Sequence, residues 1–139
     1  MAIKAIDLHT TKTVVHPDDK DNPTKWIIGA VDSRVYGQLS DRSLVVAVDP
    51  QRPDEEAGVK LAKNQLAFEV AQFGLKGWEN FPGENGEPLP YATQSETVGS
   101  RVYKVAKGDL VARIPGKVLR WLHQQIVDMN KLDDEEGND

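Results

Sequence analysis

Nothing constrains this chain more than Gly74-Leu75-Lys76-Gly77-Trp78-Glu79-Asn80-Phe81, where a long amphipathic segment meets glycine and then two aromatics. From residue 54 to residue 74 the apolar side chains Val59, Ala62, Leu66, Val70 and Phe73 recur at three- and four-residue intervals. That spacing puts them on one face of a helix of about five turns. Ala67, Phe68 and Ala71 broaden the stripe, so the helix is expected to touch more than one neighbour. A glycine after the last periodic position is free to take the left-handed backbone that ends a helix. A helix-to-loop corner is therefore expected at Gly74, with Trp78 and Phe81 packing back over it. At 139 residues the chain suits one domain, which at that length buries roughly two thirds of its unfolded surface.

The remaining elements are shorter. Thr13-Val14-Val15 and Trp26-Ile27-Ile28-Gly29-Ala30-Val31 read as strands around a polar loop from His16 to Thr24, with Asp32-Ser33 as a cap or turn. Residues 34–42 place Val35, Tyr36 and Leu39 at helical spacing for one or two turns, weakened by Gly37. Ser43-Leu44-Val45-Val46-Ala47-Val48 reads as a further strand, stopped by Asp49-Pro50 and followed by a loop through Pro53. Between Pro82 and Pro90, Asn85-Gly86 is the pair preferred by a type I′ turn, but prolines cannot donate to a ladder, so any hairpin there is an edge or a stub. Arg101 to Val105 alternates as a strand, with Tyr103 and Val105 on one side and Val102 on the other. A last helix, from about 115 to 131, carries Val118, Leu119, Leu122, Ile126 and Met129 on its apolar face. The expected fold is thus α+β. It is a single small domain over residues 1–132 with short antiparallel strands, a long central helix (54–74), a C-terminal amphipathic helix (115–131) and a flexible acidic tail at 133–139.

Charge and cysteine content exclude several kinds of chemistry. The net charge of −5 resides entirely in residues 128–139, where six acids face one base, so residues 1–127 are neutral and carry no net field to attract polyanions. Neither nucleic acid nor an anionic membrane is an expected partner. With no cysteine there is no disulfide, thiolate catalysis or thiolate-bound zinc. No apolar run approaches the ~20 residues that span a bilayer, and the N-terminus lacks a secretory pattern, so a cytoplasmic protein is expected.

The reactive side chains form no recognisable constellation. His16-Pro17-Asp18-Asp19-Lys20-Asp21-Asn22 lacks the alternating ligands of a calcium loop and reads as a solvated turn. His123 has no helical neighbour four residues away to share a metal and reads as a surface or half-buried side chain. Gly99-Ser100-Arg101 is not a nucleophile elbow. Glu79, Glu84 and Glu87 read as exposed turn acids. Gly74-Leu75-Lys76-Gly77 matches the two-glycine loop of KH modules, but runs into Trp-Glu-Asn-Phe instead of a second helix. No catalytic residue, cofactor or metal is expected. Trp78, Phe81 and Trp121 are the candidates for a partner-binding patch, because large aromatics dominate interface energetics as they dominate cores.

The order of these pieces resembles small proteins encoded among the morphogenesis genes of tailed bacteriophages, including tail assembly chaperones. The likeness is carried by Trp26-Ile27-Ile28-Gly29-Ala30-Val31-Asp32-Ser33 and by Phe73 to Phe81 with the glycine-rich turn after it. A closing helix from Ile114-Pro115 to Asn130-Lys131-Leu132, followed by the acidic tail, completes it. It spans most of residues 24–136. The resemblance implies a non-enzymatic assembly protein in the host cell cytoplasm, binding tail tube, tape-measure or neck subunits, or a second copy of itself as a homo-oligomer, through an apolar surface. A stoichiometric virion component is the alternative it leaves open; a small enzyme or nucleic-acid-binding module is more remote.

Overall fold

The computed structural model describes residues 5–47 and 55–136. In chain order these form β1 (Thr11–Val14), β2 (Lys25–Gly29), α1 (Ser33–Ala47), α2 (Glu55–Gly74), β3 (Leu75–Glu79), β4 (Thr93–Val98), β5 (Arg101–Ala106), the short α3 (Gly108–Val111) and α4 (Gly116–Glu136). The fold is α+β, with antiparallel strands in two small sheets, β1-β2-β3 and β4-β5.

Between the sheets and the helices lies one core, in which Ile28, Val35, Leu39, Val70, Leu75, Leu122 and Ile126 are almost wholly buried. α2 is its spine. Ala62, Val70 and Phe73 are buried and Leu66 partly so, as the spacing predicts, while Val59 lies outside the described side chains. α2 packs against α1, α3, α4 and β5, as its broad stripe requires. On α4, Leu122 and Ile126 are core residues, with Val118, Leu119 and Met129 packed at the edge. The α4 backbone continues as helix through Asp133–Glu136, into the stretch read as tail.

Three local expectations are corrected. Residues 43–47, read as a strand, continue α1 instead, because Val35, Leu39 and Ser43 recur every four residues and are buried against the core. Tertiary packing there overrides the β-branched Val45-Val46, and Ser43 satisfies its hydroxyl by donating to the Ser40 carbonyl at 2.7 Å. Asp32 starts this helix as an N-cap, its Oδ1 accepting the Arg34 N–H at 2.7 Å. Val48, the Asp49-Pro50 stop and the Pro53 loop lie outside the described residues.

The Gly74 corner has a different physical cause. α2 passes directly into β3, and Gly74 is not among the glycines with positive φ. Instead α4 crosses so closely that a Cβ at residue 74 would lie 2.5 Å from Ile126 Cδ1 and 2.8 Å from both its Cγ atoms. Glycine is needed for close approach.

The Asn85-Gly86 turn is not type I′, since only Gly86 has positive φ (82°). The Gly86 N–H bonds to the Gly83 carbonyl and the Gly83 N–H to the Glu87 carbonyl, closing a three-residue loop on an isolated Pro82–Pro88 bridge. The hairpin is a stub, as its prolines dictate. Gly99-Ser100 joins β4 to β5 as a two-residue loop in which Gly99 alone has positive φ (63°), the requirement of a type II′ turn. Val105 of β5 is buried and Val102 is 69% exposed, in keeping with the alternation.

Candidate functional site

Two left-handed asparagines build the site. Asn22 (φ 51°) and Asn80 (φ 60°) adopt a backbone that asparagine tolerates better than most residues. Asn80 Nδ2 donates to the Asn22 carbonyl at 2.6 Å, while Thr24 Oγ1 donates to the Asn80 carbonyl at 2.9 Å. The loop between β1 and β2 is thereby stitched to the end of β3. Inside it, the Asp18 N–H donates to His16 Nδ1 (3.1 Å), the Asp19 N–H to the His16 carbonyl (3.0 Å) and the Thr24 N–H to Asp19 Oδ2 (2.9 Å).

The same loop leans on α4. Lys117 and Trp121, one helical turn apart, share a face. Lys117 Nζ pairs with Asp18 Oδ2, and the His16 ring meets Trp121 edge-on with centroids 4.9 Å apart. His16 is 9% exposed, so it is not the solvated turn residue expected from its polar neighbours. Because Nδ1 accepts a hydrogen bond, the neutral ring carries its proton on Nε2. The Lys117 ammonium holds the Asp18 carboxyl below the ordinary carboxylate range by hydrogen bond and charge.

Between this loop and α4 opens a cleft of about 420 Å³, floored by Trp26 and Phe81 and lipped by Pro82, Pro115 and Val118. A second concavity of about 350 Å³ shares Phe81 and Pro82 and reaches Leu89 and Arg113. The two concavities adjoin at Phe81 and Pro82 and make up the groove. Arg113 reaches Glu84 at 3.7 Å across the second part, and both members of that pair are solvent-exposed, as are Lys117 and Asp18 across the first.

The predicted patch residues are placed differently from expectation. Trp78 is 7% exposed and Phe81 8%. They meet edge to face at 5.3 Å, within a cluster that also holds Trp26 and Tyr91. The Trp78 Nε1–H donates to the Leu89 carbonyl at 2.9 Å, so its one polar atom is satisfied internally. These two rings close the core and offer no exposed patch; Phe81 also lines the groove floor. Trp121 is half-buried behind His16. The groove residues His16, Asp18, Asp19, Pro115 and Lys117 carried no joint signal in the sequence, since two remote segments must fold together to form it.

Other expectations find their places. Glu79, Glu84 and Glu87 are exposed, and His123 is half-buried with Nε2 unpartnered. Among the described residues no group of three or more His, Asp or Glu could hold a metal, and no helix is long and apolar enough to cross a membrane. The groove offers a ligand an aromatic floor, stiff proline lips and two carboxylates. No protein-family model, curated protein or solved structure matches this chain.

Proposed function

We propose that this chain is a non-enzymatic bacteriophage assembly protein, a tail assembly chaperone that holds a segment of another phage structural subunit until that subunit polymerises. The observation that carries this reading is the groove, two adjoining concavities of about 420 and 350 Å³ over Trp26 and Phe81 whose walls are bridged by exposed ion pairs. Such pairs contribute about 0–1 kcal/mol each, so a partner can displace them and later leave. The likeness of Trp26 to Ser33, of Phe73 to Phe81 and of the closing helix to phage morphogenesis proteins supplies the phage context.

Mass spectrometry of purified virions, run beside a pull-down from infected cells, tests the proposal. A chaperone is recovered with tail tube, tape-measure or neck subunits and is absent from finished particles. Fixed copy number in particles would replace it with the virion-component alternative. Recovery in neither fraction would remove the assembly role.

A further inference from the structure

The polar chemistry of the groove selects what enters it. On the loop wall the backbone donors are already spent: the N–H groups of Asp18, Asp19 and Thr24 bond within the loop, and Pro82 and Pro115 have none. A partner strand therefore finds no ladder to join along that wall. What the loop side offers are acceptors. Asp18 and Asp19 face a single cation, Lys117, so the larger compartment carries one uncompensated negative charge above its aromatic floor. Asp19 spends Oδ2 on Thr24 and has no partner for Oδ1.

We infer that the groove takes an apolar peptide segment bearing a lysine or arginine, the apolar side chain lying over Trp26 and Phe81 and the cation pairing with Asp19 and Asp18. This rests on the proposed binding of a partner segment and names its chemistry. Recognition is by side-chain insertion and charge, in an environment where an apolar wall strengthens the ion pair relative to water.

Two blocked peptides test it by NMR titration of the full chain: acetyl-Gly-Leu-Pro-Leu-Arg-Gly-amide and its counterpart with aspartate for arginine. The arginine peptide is expected to shift the amides of His16, Asp18, Asp19 and Val118 and to bind about tenfold tighter than the aspartate peptide, a difference of about 1.4 kcal/mol. Asp19→Asn keeps an acceptor for the Thr24 N–H and is expected to abolish that preference without moving the thermal midpoint. Equal binding of the two peptides, shifts confined to other surfaces, or no shift at millimolar peptide would each overturn the inference. Capture of phage subunits by wild type and Asp19→Asn alike would remove the groove as the site while leaving the assembly role standing. Failure of the wild type to capture any phage subunit, with the arginine preference intact, would remove the role and keep the groove chemistry.

Discussion

At Trp78 the indole is consumed by the fold. Its faces and edges meet Trp26, Phe81 and Tyr91, and its N–H is bound to Leu89. Trp78→Ala is expected to cost about 3–5 kcal/mol, read as a large fall in thermal midpoint, before any effect on partners appears. Two partly buried ionisable groups give opposite pH signatures. Burial raises the Glu69 carboxyl against the pull of Arg42, whose Nη1 stands 3.8 Å from Oε1, while Oε2 has no partner. Its folded value lies above the unfolded one, so stability is gained as pH falls through the raised value and ionised Glu69 is a cost at neutrality. Glu69→Gln is expected to raise the midpoint at about pH 7 and to lose that advantage near about pH 4. Burial lowers His123, whose unfolded form therefore takes a proton first. Its contribution is complete above 6.5, the unperturbed value, and is lost as pH falls below it. His123→Leu is expected to flatten that acid limb in a denaturation series.

The α2–α4 crossing depends on a missing side chain at Gly74. Gly74→Ala drives a methyl into Ile126, which is 1% exposed and has no room to turn aside. A loss of about 1–3 kcal/mol is expected, and adding Ile126→Val is expected to recover part of it, as chemical denaturation of Gly74→Ala, Ile126→Val and the double variant will show. This element level was the most legible in the sequence. Long apolar periods located α2 and α4 because a buried stripe leaves a repeat that propensity cannot blur. β-branched and aromatic content located β2, and alternation located β5. α1 was half lost because Val45 and Val46 favour strands locally, whereas the burial of Leu39 and Ser43 that decides the matter is tertiary. β4, Thr-Gln-Ser-Glu-Thr-Val, is polar because one face is solvated, and only its Gly99-Ser100 turn could have revealed it. The groove was illegible, since residues 16–24, 80–82 and 113–118 share no periodicity.

At the scale of the molecule, the groove walls are bridged by exposed ion pairs. At about 1 M salt the Debye length shrinks to about 3 Å, and the Asp18–Lys117 and Arg113–Glu84 pairs lose most of their attraction. Global stability is expected to change little while the amides of Asp18, Asp19 and Thr24 exchange faster with solvent. Acid acts the same way. The Asp18 carboxyl is depressed in the folded protein, so its pairing is intact above the ordinary carboxylate value and is lost as pH falls through the lowered one. The contact between His16 and Trp121 lends this motion a voice of its own. Trp26 and Trp78 are buried and Trp121 is the most exposed of the three indoles, so its emission wavelength is expected to respond when the His16 contact is disturbed, giving an unlabelled optical test of the proposed binding.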